Sequence, residues 1–311
     1  MNKQESSVSR RKFLAYSSAA FGTGLIGGVA GSLFWASNNT AFLAFVKGRQ
    51  NTILSKLARD VLPLQGRIID VHFGDSIQRL VEAGVIAPQK FKAIYAKRGG
   101  VPAWMEELLT KPSSAPITMS FQSAPYLLNL LWPLGVATQT RFNTRSRLNG
   151  PNVGRYASTG GWTLGKASRG GGYFNKVAAV DLNPAQEAVI LEAAKHCYRP
   201  CCNNSTFFQD CNHGSALLGL YELAASQGAS ENDLYKIGLI ANSYWYPDEY
   251  VEMAYFFQKL KSTPWPRLAP KMVLGKTYSS FAGWQKNVHK PLITAGLVPS
   301  AQSGNPSNCG V

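Results

Sequence analysis

Acidic residues are scarce in this chain, with 17 Asp and Glu against 32 Lys and Arg and a formal charge of +15. None occurs between Glu107 and Asp181, where Lys111, Arg141, Arg145, Arg147, Arg155, Lys166, Arg169 and Lys176 fall. Paired glycosidase carboxylates and a serine-nucleophile motif are not recognisable. No Cys-x-x-Cys pair is present, which argues against a thioredoxin-type dithiol, and no Cys-x-x-Cys-His sequence is there to attach haem. Internal repeats are lacking, and no segment alternates polar and apolar residues for long enough to read as a regular strand beyond a short one near Val71 and Phe73. Charged residues make up only 16% of the chain, so its polarity comes from Asn, Gln, Ser, Thr and Tyr.

What is present begins with Ser9-Arg10-Arg11-Lys12-Phe13-Leu14, followed by an uncharged run from Phe13 to Val46. This stretch resembles the twin-arginine export signal of prokaryotes. The resemblance is confined to the N-terminal segment. It implies engagement of the twin-arginine export machinery, passage in a folded state, and a destination in the periplasm or at the outer face of the cytoplasmic membrane. Basic residues ahead of an apolar span keep that end cytoplasmic. The span from Phe13 to Ala36 would extend ~36 Å as a helix, enough to cross a bilayer. Its small residues suit close approach to another membrane helix. A retained anchor is favoured over a cleaved signal, because the contexts near Ala36 and Ala44 carry Phe34 and Phe42 where a small residue is wanted.

Beyond residue 36 about 275 residues remain, enough for one sizeable core or two modest domains. The texture predicts a mainly α-helical fold. Helices are expected over Thr40–Leu62, Ser76–Gly84 with Asp75 as N-cap, Pro88–Lys97, Pro102–Thr110 and Ser123–Ala137, the last kinked or ended by Pro133. Further helices are expected from Asn183 to Tyr198, Gly214 to Gln227, Ser230 to Trp245 and Asp248 to Lys261. Between the two groups, eight glycines from Asn149 to Tyr173 read as a long loop. The organisation expected is a signal or signal-anchor over 1–36, an N-terminal helical half over 37–148, a Gly-rich basic loop over 149–176, and a C-terminal helical half over 177–311.

Chemistry concentrates in the C-terminal half. Four of the five cysteines lie between His196 and His213, as His196-Cys197-Tyr198-Arg199-Pro200-Cys201-Cys202 and Asp210-Cys211-Asn212-His213-Gly214; the fifth is Cys309. Three readings compete. Disulfides suit an oxidising envelope, with Cys201 and Cys202 diverging to different partners because they are adjacent. A metal or redox cofactor suits a ligand set of Cys197, Cys201, Cys202, Cys211 and His213, with zinc, copper or iron as candidates. Loading of that cofactor in a reducing cytoplasm would fit folded export. The spacing matches no zinc-finger or ferredoxin pattern. A thiol enzyme is the third reading, with Asp210 or His213 as proton acceptor, because a helix start at His213 and the nearby Arg199 favour a thiolate at Cys211.

Other groups are weaker. Gly160-Gly161-Trp162-Thr163-Leu164-Gly165-Lys166-Ala167 has the spacing of a phosphate loop, but Ala167 stands where magnesium needs a hydroxyl and no apolar strand precedes it. Asp70, His72 and Asp75 read better as a helix cap beside an exposed histidine than as a metal site. Tyr244-Trp245-Tyr246 and Tyr255-Phe256-Phe257 read as core. The cationic residues Arg141, Arg145, Arg147, Arg155, Lys166 and Arg169 are candidates for holding an anionic lipid, polymer or ligand. An exported location argues against nucleic acid.

Overall fold

The structure is a computed structural model and describes residues 53–298. The twin-arginine stretch, its apolar run, the first part of the expected Thr40–Leu62 helix and Cys309 lie outside the described residues. No helix among the described residues is long and apolar enough to cross a membrane.

The fold is mainly helical, as the periodicity predicts. In chain order the principal elements are α1 (Ile53–Val61), β1 (Arg67–Ile69), α2 (Ser76–Glu82), α3 (Pro88–Tyr95), α4 (Ala103–Leu108), β2 (Ile117–Met119), α5 (Ala124–Ala137), α6 (Pro184–His196), α7 (Asn212–Ser226), α8 (Glu231–Trp245) and α9 (Pro247–Leu260). Short helical turns follow from Pro270 to Thr294, including a π-helical turn over Gln285–His289. The strand expected at Val71–Phe73 is displaced. Three residues, Arg67 to Ile69, pair antiparallel with Ile117 to Met119, and Arg67 faces Met119.

Local chemistry explains most of the helix starts. Asn183 caps α6 by accepting from the N–H groups of Ala185 and Gln186, and Gln186 returns a bond to the Asn183 N–H. Ser230 and Asp233 do the same for α8. Asp75 precedes α2, but its carboxylate is drawn to Arg79 at 3.0 Å instead of capping the helix. Pro133 does not end α5, which continues to Ala137. Nearly every residue from Leu127 to Ala137 is buried. The hydrophobic contacts offset the backbone hydrogen bond that proline cannot make.

The core centres on the contact between α5 and α7. Gly135 sits so close to α7 that a Cβ there would lie 1.9 Å from the Ser215 carbonyl oxygen. Gly219 meets α5 in the same way, 2.5 Å from the Leu131 carbonyl oxygen. Backbone meets backbone at this crossing, so only glycine fits. One apolar core runs from Leu54 to Val298 and includes both helical halves.

The Gly-rich stretch is irregular, with single helical turns at Val153–Arg155, Ala157–Gly160 and Gly170–Gly172. Aromatic side chains anchor it. Trp162 is buried and donates to the Val85 carbonyl, and Trp132 of α5 donates to the Ser158 carbonyl at 2.8 Å. Helix α5 thereby holds the stretch against the loop that carries the cysteines.

Candidate thiol centre

The loop between α6 and α7 is shaped by the need to satisfy the last carbonyls of α6. Cys197 leaves the helix in an extended conformation. The chain then folds back, so that Phe207 N–H donates to the Ala194 carbonyl and Thr206 N–H to the Cys197 carbonyl. Ser158 and Ser215 both donate their hydroxyls to the Gln209 carbonyl. Phe281 N–H donates to the Cys202 carbonyl. Two distant segments, at Ser158 and Phe281, therefore brace the loop together with the helices it joins.

That shape brings Cys201, Cys202 and Cys211 together, with the three sulfurs all within 4.8 Å of one another. Cys201 and Cys211 stand 3.8 Å apart. Adjacent cysteines were expected to diverge; instead both approach Cys211, because the Cys202 N–H closes a turn onto the Arg199 carbonyl. No disulfide joins the four described cysteines to one another.

Arg199 organises the centre. Its side chain is fully buried, an expensive position for a charge unless partners surround it. Nε donates to Cys211 Sγ at 3.0 Å, Nη2 to Asp210 Oδ1 at 3.0 Å, and Nη1 to the Asn204 carbonyl at 3.2 Å. Burial works against the charged guanidinium, but Cys211, Cys202, Cys201 and Asp210 outweigh it and hold the group firmly protonated. Asp210 also accepts from Asn204 Nδ2 at 2.7 Å. Its carboxyl is raised above the ordinary value, chiefly by burial and then by Cys211. Gly214 is glycine because a Cβ there would fall 2.6 Å from the guanidinium carbon.

Cys211 is the N-cap of α7, and its sulfur accepts from the Gly214 N–H at 3.4 Å. A helix start and an Arg N–H thus converge on one sulfur, an arrangement that suits negative charge. Tyr246 donates its hydroxyl to Cys201 Sγ at 2.9 Å. The Cys202 thiol points to the Asn204 carbonyl at 3.9 Å. Its contacts with Cys201 and Cys211, followed by burial, push its pKa up strongly.

Two of the five residues expected as ligands are placed differently. Cys197 is fully buried beside α7, with its sulfur 2.9 Å from the Tyr221 hydroxyl, and burial raises its pKa to about 12. It belongs to the core and not to the three-sulfur group. His213 is not in that group either. Its ring packs against Tyr246 at 4.9 Å and Trp245 at 5.9 Å. Burial lowers its pKa to about 4, so it is a neutral imidazole, the form that binds metal.

Tyr246 makes a contact with the thiol group that sequence reasoning missed. It was assigned to the core with Tyr244 and Trp245, and it is indeed buried, but its hydroxyl reaches a cysteine. Its place just before Pro247, at the junction of α8 and α9, was the available signal.

The remaining candidates are dispersed. Asp70 and His72 are exposed, and the His72 N–H donates to the Gln227 side chain while its carbonyl accepts from it. Lys166 of the phosphate-loop-like stretch is exposed, with its backbone N–H on the Gly84 carbonyl. Arg141, Arg145, Arg147, Arg155, Lys166 and Arg169 are all exposed, and among the described residues none forms an ion pair. Arg147 covers the Phe208 ring at 5.1 Å, and Phe208 meets Tyr156 edge-on at 5.5 Å.

No family model, curated protein or solved structure matches the chain.

Proposed function

We propose that this is an exported cell-envelope protein that binds a soft transition metal through Cys201, Cys202 and Cys211. The observation that carries the reading is the convergence of three sulfurs within 4.8 Å on a braced loop. Tetrahedral zinc with bonds of about 2.3 Å requires sulfurs about 3.8 Å apart. The Cys201–Cys211 separation of 3.8 Å meets that requirement without rearrangement. Zinc, copper(I) and iron all accept such a donor set. Export rests on Arg10 and Arg11, and loading before export would keep the thiols from oxidising.

Titration of reduced full-length protein with zinc or copper(I) tests the reading. One equivalent should bind, and Cys211→Ser should abolish uptake while the far-UV helical signal stays. Absence of uptake by the wild type sinks it.

A second reading concerns the basic face. Arg147 covers the Phe208 ring of the cysteine loop, and Phe208 meets Tyr156 edge-on, so a cation adjoins two aromatic rings there. Such a cluster suits an anionic lipid surface or wall polymer. Retention on anionic vesicles should then fall steeply with salt, as exposed charges are screened within about 8 Å at physiological ionic strength.

A further inference from the structure

Within the thiol centre the three cysteines are not equivalent. Cys201 is partly exposed, whereas Cys211 is 2% exposed. Cys211 Sγ receives the Arg199 Nε–H and the Gly214 N–H, and Cys201 Sγ receives the Tyr246 hydroxyl. The Cys202 thiol is turned to the Asn204 carbonyl. Cys201 and Cys211 are 3.8 Å apart, and a disulfide bond is about 2.05 Å long, so a movement of under about 2 Å closes the pair. Both sulfurs sit on one short loop, so bonding them leaves the helices in place.

We infer that Cys201 and Cys211 are a dithiol–disulfide redox pair, with Cys201 the entry sulfur, Cys211 the resolving sulfur, and a low-molecular-weight disulfide as oxidant. The inference rests on the same three-sulfur site as the metal reading and adds its regulation. In the first step Cys201 Sγ attacks one sulfur of the oxidant. A new S–S bond forms, the oxidant's own S–S bond breaks, and its other sulfur leaves as a thiolate that takes up the Cys201 proton. In the second step Cys211 Sγ attacks Cys201 Sγ. The mixed disulfide breaks, and the second oxidant sulfur leaves with the electron pair and takes up the remaining proton. Two protein thiols lose two electrons in total, and the oxidant becomes two thiols. Arg199 and the Gly214 N–H hold Cys211 in line as the attacking sulfur. Cys202 alone then remains at the site, and one sulfur does not retain a metal that three held.

Oxidised glutathione, added to the reduced full-length protein, tests the order of events by peptide mapping without reduction. Wild type should carry a Cys201–Cys211 disulfide, an alkylatable Cys202 and no glutathione. Cys211→Ser should instead accumulate glutathione on Cys201. Cys202→Ser should still form the disulfide, so the test survives if the Cys211 variant misfolds. A bridge that includes Cys202, or glutathione trapped on Cys202 in the Cys211 variant, overturns the inference. Zinc titration on the same samples separates the two ideas. Uptake of zinc by a protein that never forms the Cys201–Cys211 bond removes the redox pair alone. Formation of that bond in a protein that takes up no zinc removes the metal reading alone. With both intact, oxidation should release the bound zinc and a dithiol reductant should restore uptake.

Discussion

The two ends of α7 bury polar groups in opposite ways. At its start, Cys211, His213 and Gly214 surround a guanidinium whose hydrogen bonds reach Cys211, Asp210 and the Asn204 carbonyl. Near its end, Glu222 is fully buried, and neither carboxylate oxygen has a hydrogen-bond partner among the described residues. The Thr138 hydroxyl nearby gives its bond to the Leu134 carbonyl. Burial therefore raises the Glu222 pKa well above the ordinary carboxylate value and keeps the group neutral. One end handles charge by pairing it, and the other by removing it. A paired charge fixes positions, because each partner sits at one distance and angle, and that is the property a site needs. A neutralised acid fixes little and makes the fold sensitive to pH.

Arg199→Met breaks the comparison most sharply. It leaves Asp210 and Cys211 without their cation, and loss of one member of a buried pair costs about 3–5 kcal/mol. Chemical denaturation should show that loss, and metal uptake should fall with it. A variant as stable as wild type would mean that the guanidinium organises nothing.

Glu222 sharpens the other side. Above the ordinary pKa of 4.5 the unfolded chain releases this proton while the folded chain keeps it. Stability then falls as pH rises, by up to about 1.4 kcal/mol per pH unit. Glu222→Gln should flatten that slope between pH 5 and 7. Asp248 and Glu249, whose pKa values are also raised by burial, Glu249 to about 7, should leave a residual slope of the same sign. Identical slopes for the two proteins in urea titrations would show that Glu222 ionises in the fold.

Gly214→Ala tests the fit of the guanidinium. The new methyl would displace Arg199 and should cost about 1–3 kcal/mol, the usual range for overpacking. The Cys201–Cys211 pairing should weaken in parallel. Cys197→Ala gives the smallest effect, about 1 kcal/mol from a lost buried contact. It should leave zinc uptake unchanged, since this sulfur sits with Tyr221. A variant that loses zinc would place Cys197 back among the ligands.

Much of this was legible from local pattern. The caps at Asn183 and Ser230 and the proline-started helices were readable because their partners lie within four residues. The end of α5 at Ala137 was legible, but its passage through Pro133 was not: the burial that offsets the missing hydrogen bond comes from α7, some eighty residues away in the chain. The strand shifted for a similar reason, since its register depends on a partner near Met119. Within the cysteine window, ligand density was evident while membership was not. Cys197 and Cys211 look alike in sequence, and only the return of the loop onto α6 sends one into the core and the other to the centre. Tyr246 was hidden because an aromatic at a helix junction looks the same whether or not its hydroxyl has work to do.

By itself the sequence determined the helical class, most helix starts and the window in which thiols gather, because periodicity, capping and composition act over a few residues. It also carries the basic interval, since charge is additive along a chain. Only the tertiary structure decided which three of the cysteines meet, that Arg199 lies buried among them, that Tyr246 reaches Cys201, and that Glu222 stays neutral. Each of those depends on the return of the α6–α7 loop or on contacts between helices, which no local pattern encodes.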